Sequence, residues 1–140
     1  MTIDYCGITG DETNGRVLII EDDPEIAELI ELAFRIYLPK VEVATTNLGN
    51  EGVETALQKS FDLCITDLNL PDIHGLDVIV KLHDNNDMPI IVISANEDTE
   101  TIEKVIDKGI CGYFEKPFSP VELLNKANKL IKRRSPVPSK

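Results

Sequence analysis

Four short apolar runs divide the chain, and each stops abruptly at polar residues. Val17-Leu18-Ile19-Ile20 ends in Glu21-Asp22-Asp23, Leu63-Cys64-Ile65-Thr66 in Asp67, and Ile90-Ile91-Val92-Ile93 in Ser94. Cys111-Gly112-Tyr113-Phe114 runs through Glu115 into Lys116-Pro117. None alternates with a period of two, so each reads as a strand buried on both faces, as in parallel sheets. Strands are predicted at 16–20, 62–66, 89–93 and 111–114, with a further short one at 41–44. Helical patterns fill the gaps. Asp23 as cap and Pro24 in the first turn open a helix whose inward face is Ile26, Leu29, Ile30 and Ala33. A second spans about 48–59 with Val53, Ala56 and Leu57 inward, and a third runs from Gly75 to about His83. The fourth covers about 98–108 and stops at Gly109, a good C-terminal glycine. Ser119-Pro120-Val121-Glu122 is a capping box that opens the fifth, whose apolar stripe is Leu123, Leu124, Ala127, Leu130 and Ile131.

Strand and helix thus alternate five times, without internal sequence repeat. The prediction is an open α/β fold, a doubly wound five-stranded parallel sheet with helices on both faces. Ligands of such sheets bind beyond the carboxyl ends of the strands. Stacking the apolar runs therefore gathers Glu21, Asp22, Asp67, Ser94 and Lys116 along one rim. A carboxylate such as Asp67, ending a central strand, can attack phosphorus and hold the phosphoryl group as an acyl phosphate. Glu21 and Asp22 beside it add like-charge repulsion of about 1–4 kcal/mol per pair at surface-like screening. A cation must offset that, and an oxygen-rich site suits Mg²⁺. Lys116 supplies a fixed ammonium and Ser94 a hydroxyl donor, the positioning and neutralising groups that phosphoryl transfer asks for. Each residue alone has a plainer explanation. The acidic triplet caps a helix, Asp67 forms a turn, Ser94 is a loop hydroxyl and Lys116 a solvated lysine. What favours the site is that all four strand ends carry a suitable group in the required topology.

Composition narrows the class. A chain of 140 residues fits one domain, and 42% hydrophobic with 28% charged residues is globular composition. A net charge of −11 repels nucleic acid, so direct nucleic-acid binding by this segment is not expected. No stretch approaches the ~20 apolar residues of a membrane helix, and residues 1–15 lack a secretory signal. Cys6, Cys64 and Cys111 are odd in number and without metal-ligand spacing, which places the protein in a reducing cytoplasm. Residues 1–15 read as a flexible leader, 16–132 as the domain, and 133–140 as a basic, proline-containing linker or tail. His74, between Pro71 and Gly75, reads as a surface loop residue.

The segments Val17-Leu18-Ile19-Ile20-Glu21-Asp22-Asp23-Pro24, Asp67-Leu68-Asn69-Leu70-Pro71-Asp72-Ile73-His74-Gly75, Ser94-Ala95 and Lys116-Pro117-Phe118 resemble the CheY-like receiver domains of two-component response regulators. The resemblance covers about residues 16–132. It implies a flavodoxin-like strand order 2-1-3-4-5, for which a member of this family is a standard illustration. By position it makes Asp67 the phosphoacceptor and puts Mg²⁺ on Glu21, Asp22, Asp67 and the backbone carbonyl of Asn69. Ser94 and Lys116 would grip the phosphoryl oxygens, Lys116-Pro117 would be cis, and Ser94 with Tyr113 would form the switch, the tyrosine starting from an outward rotamer. The implied donor is a sensor histidine kinase or histidine phosphotransfer protein. The implied output is a changed surface on the fourth helix, fifth strand and fifth helix, offered to a partner or effector domain. A homodimer through that surface is also allowed.

Some positions depart from the commonest family pattern. Glu21 and Ser94 stand where Asp and Thr are usual, and Ile110-Cys111-Gly112 lacks the acidic pair of the winged-helix subclass, which argues against that subclass's usual dimer. Asn96 occupies a position where the family varies to tune phosphoryl lifetime. The resemblance implies a switch without independent turnover. An aspartate-nucleophile phosphatase wants a second Asp two residues on, where this chain has Asn69; a pseudo-receiver binding module usually lacks the acceptor or the lysine, and both are present.

Overall fold

A computed structural model describes residues 12–85, 87–95 and 97–134. Cys6 and Asn96, most of the expected leader and the last six residues of the expected tail lie outside the described residues. The elements are β1 (Asn14–Ile20), α1 (Pro24–Tyr37), β2 (Lys40–Thr46), α2 (Gly49–Gln58), β3 (Leu63–Asp67), α3 (Gly75–Asn85), β4 (Ile90–Ser94), α4 (Thr99–Asp107), β5 (Gly112–Glu115) and α5 (Pro120–Arg134). All strand pairs are parallel and the order is β2-β1-β3-β4-β5, as expected. No helix among the described residues is long and apolar enough to cross a membrane.

The unbroken apolar strands follow from their two-sided burial. Val17 and Ile19 of β1 face one core with Ile30, Phe34, Leu123, Leu124 and Ile131 of α1 and α5. Leu18 and Ile20 face the other, with Val53, Val78, Leu82 and Val105 of α2, α3 and α4. Each such side chain contributes about 1.5–3 kcal/mol by leaving water. Two expected inward residues point out. Leu29 is 42% exposed, because the buried face of α1 is Ile30, Ala33 and Phe34, and Leu29 lies one step of the helix outside it. Leu57 is 56% exposed for a similar reason, since α2 rests on Gly49, Gly52, Val53 and Ala56.

The expected domain edges also move. β1 reaches back to Asn14, and the Thr13 hydroxyl donates to Asn128 Oδ1 at 2.7 Å in a buried contact, so residues 13–15 belong to the fold and not to a leader. At the other end α5 continues through Arg134, past the expected end at 132.

The loop after β3 is tied at three points. Asp72 caps α2 from across the fold, accepting from the Gly49 and Asn50 N–H groups at 2.7 and 2.8 Å, where the local cap Leu48 has no suitable side chain. Those N–H bonds hold the Asp72 carboxyl below its ordinary value. His74 is exposed, and its Nδ1 accepts from the Leu76 N–H at 3.0 Å, a capping role at the start of α3. Gly75 packs so closely that a Cβ there would stand 2.5 Å from Leu68 Cα and 2.7 Å from the Asp67 carbonyl oxygen. Backbone atoms cannot swing aside as a flexible side chain does. We therefore expect Gly75→Ala to lower stability by about 1–3 kcal/mol, measured by urea denaturation. An unchanged midpoint would show that the backbone at Leu68 relaxes freely.

Candidate functional site

The carboxyl ends of β1, β3 and β4 and the residues after β5 form the rim. Asp67, the last residue of β3, pairs in register with Ile93 of β4 and is 3% exposed. Glu21 directly follows β1 and is 2% exposed, while Asp22 beside it is open to solvent. One carboxylate oxygen from each of Glu21, Asp22 and Asp67 lies within 4.8 Å of the others. Lys116 reaches in from the residues after β5, its Nζ 2.9 Å from Asp67 Oδ2 and 3.0 Å from Glu21 Oε1. The Lys116-Pro117 bond is cis.

Electrostatics at this point are those of a buried, unbalanced acidic cluster. Burial alone would pull the Lys116 ammonium down, but its bonds to Asp67 and Glu21 outweigh that and hold it above its ordinary value. Glu21 is raised from 4.5 to about 7, foremost by burial and further by the Asp67 charge, against the pull of the Asp23 N–H and Lys116. Its Oε2 accepts from the Asp23 N–H at 3.0 Å. Its Oε1, although near the ammonium, is buried without an aligned hydrogen bond. An unsatisfied buried oxygen in an all-oxygen donor set fits a hard cation such as Mg²⁺. Asp67 Oδ1 accepts from the Asn69 N–H at 3.1 Å, which fixes the carboxylate on its strand.

The Ser94 hydroxyl and the Asn69 side-chain amide both meet Glu97. Ser94 ends β4 fully buried, and its hydroxyl lies 3.0 Å from Glu97 Oε2 and 3.2 Å from the Ala95 carbonyl. The Asn69 side-chain amide donates to the same Glu97 oxygen at 2.8 Å. Glu97 is the polar partner that sequence reasoning missed. It sits in a run, Glu97-Asp98-Thr99-Glu100, that reads only as the approach to a helix, and Asp98 does cap α4 by accepting from the Thr101 N–H at 2.8 Å. Tyr113 pairs with Val92 in the sheet and is half-buried. Its hydroxyl is shielded from solvent close to the Ser94 side chain, and burial pushes its pKa up. Cys64 is a core residue whose thiol burial pushes far up, and Cys111 is half-buried and free.

Residues 17–128 match the family described as the response regulator receiver domain. The chain is 34% identical over 119 residues to the response regulator ArlR of Staphylococcus saprophyticus, covering 85% of this chain and 53% of that protein. It is 36% identical over 119 residues to the cell cycle transcriptional regulator CtrA of Caulobacter vibrioides, covering 84% and 51%. The chain thus spans about half the length of the curated relatives it matches. In three dimensions it resembles the receiver domain of the Francisella response regulator 1452, with a TM-score of 0.79 and 28% identity over 87% of this chain and 100% of that one. A doubly wound sheet in the order 2-1-3-4-5, an acidic cluster with a lysine at its rim and this match place the chain in the response regulator receiver domain family of two-component systems.

Proposed function

We propose that the domain is a phosphorylation-driven switch that accepts a phosphoryl group on Asp67. The observation that carries this reading is the approach of Lys116 Nζ to 2.9 Å from Asp67 Oδ2, with Glu21 and Asp22 in the same cluster. The donor is the phosphohistidine of a sensor kinase or of a phosphotransfer protein. An Asp67 oxygen attacks phosphorus as the P–N bond breaks, and the electron pair leaves with the imidazole nitrogen. Lys116 fixes the attacking carboxylate and then neutralises phosphoryl oxygens. Ser94 turns its hydroxyl to the group. Glu21, Asp22, Asp67 and the Asn69 carbonyl would hold Mg²⁺, which when bound supplies positive charge for the transferred phosphate oxygens.

Output follows from differential contacts. The phosphoryl group shifts the equilibrium only by what it binds in one state and not in the other. Movement of Ser94 changes the space beside Tyr113 on β5, and through it the surface of α4, β5 and α5. That face leaves Ile106 of α4 54% exposed, an apolar surface for an output partner, an effector domain or a second copy. The reading places the domain in the cytoplasm, without independent turnover, because Asn69 stands where a hydrolase would keep an acid.

A beryllofluoride titration with Mg²⁺, followed by NMR beside a phosphate-release assay, tests this reading. Shifts centred on Asp67 and Tyr113 without steady phosphate release are expected. Steady release would mark a phosphatase instead. Absence of both would mark a binding module that has lost phosphorylation.

A further inference from the structure

We propose that Glu97 is a latch on the acceptor site. Its carboxylate occupies the Ser94 hydroxyl that a phosphoryl group on Asp67 needs, and it must be displaced before the site is loaded. The inference rests on the reading of Asp67 as acceptor. Oε2 of Glu97 accepts from the Ser94 hydroxyl at 3.0 Å and from the Asn69 amide at 2.8 Å. These donors belong to different segments, the end of β4 and the loop after β3, so one carboxylate ties together two sides of the rim beside Asp67.

The two states compete for one proton. A serine hydroxyl donates once, and a carboxylate at 3.0 Å is a stronger acceptor than the neutral Ala95 carbonyl at 3.2 Å. While Glu97 holds that proton, a phosphoryl oxygen cannot. Among the described residues no lysine or arginine pairs with Glu97, whereas Lys116 is already shared between Asp67 and Glu21. The negative charge of an arriving phosphoryl group therefore repels Glu97 without a local cation to relieve it. Displacing Glu97 moves the residue next to Asp98, the cap of α4, so release of the latch reaches the start of that helix directly. Loading of Asp67 and the setting of α4 thus share a single residue.

Beryllofluoride affinity in the presence of Mg²⁺, read by NMR on the wild type, Glu97→Ala and Glu97→Gln, tests the latch. Glu97→Ala should bind about tenfold more tightly, the scale of one hydrogen bond to a charged group. Glu97→Gln, which keeps an acceptor but loses the charge, should fall between. Glu103→Ala, which removes an exposed charge elsewhere on α4, should leave the affinity unchanged. A gain of affinity cannot come from a loosened fold, so a merely structural role would not produce this ranking. Equal affinity in all the proteins overturns the latch and leaves the acceptor reading standing. Binding by Glu97→Ala alone supports both. No adduct in any of them removes the acceptor reading, and the latch with it.

Discussion

Asp67→Asn protein incubated with acetyl phosphate and Mg²⁺ should take up no phosphoryl group, while the wild type gains one, as read by intact mass. The loss should exceed about 100-fold, because an uncharged amide has no carboxylate oxygen to attack phosphorus and the whole nucleophilic contribution disappears. Neither neighbour can replace it. Glu21 is buried, and its two oxygens already meet the Asp23 N–H and the Lys116 ammonium at 3.0 Å each, so neither is placed to attack an incoming phosphorus. Asp22 is solvated and outside the reach of Lys116 in the ion pairs formed. Asparagine has nearly the shape of aspartate, so β3 keeps its packing and Lys116 keeps Glu21 at 3.0 Å. Removing one of three clustered negative charges also relieves repulsion, which offsets the lost ion pair with Lys116. The thermal transition should therefore stay cooperative, and lost chemistry can be told from lost fold by a melt. Undiminished labelling of the variant would mean that another residue carries the phosphoryl group.

The rim could be found in the sequence because burial on both faces leaves the strands no polar positions until they end. Val17 and Ile19 serve one core and Leu18 and Ile20 the other, so the first polar residue after each run marks the edge of the sheet. Topology then places those edges side by side, and Glu21, Asp22, Asp67 and Lys116 do meet there. Helix faces were less legible. Leu29 and Leu57 have the hydrophobicity of core residues, and one step of 100° decides whether such a residue faces the sheet or water. On α2 the decision went to glycines, because a Cβ on Gly52 would stand 2.4 Å from the Ile20 side chain, and only a small residue permits so close an approach. Contacts between loops were not legible at all. Asp72 caps a helix that begins 23 residues earlier in the chain, and Glu97 joins Ser94 to Asn69 across 28 residues. Neither pairing leaves a periodic trace, since loop side chains meet by where the sheet puts the loops and not by local spacing.

Without a divalent cation, stability should fall as pH rises from about 4.5 to 7, and saturating Mg²⁺ should flatten that slope. The sign follows from Glu21. Its folded value of about 7 lies above the ordinary 4.5, so across this window the folded protein keeps a proton that the unfolded chain has released. Stability changes with pH as the protons bound by the unfolded state minus those bound by the folded state, a negative difference here. The full effect, complete above about pH 7, is on the order of 3 kcal/mol. Asp72 and Asp98 are shifted the other way, held down by backbone N–H bonds. Their contribution is lost only as pH falls below the ordinary carboxylate range, outside this window. On the proposed reading Mg²⁺ would bind the ionised form of Glu21, so protons and metal would compete, and the cation should stabilise most where the metal-free protein is weakest. A hundredfold excess over its Kd should add about 2.7 kcal/mol. Urea denaturation with EDTA or Mg²⁺ across the window measures both curves. Glu21→Gln, neutral at every pH, should lose the downward slope and much of the response to Mg²⁺ together. A slope that survives in this variant would assign the titration to another group, and a response to Mg²⁺ that survives would place the cation away from Glu21.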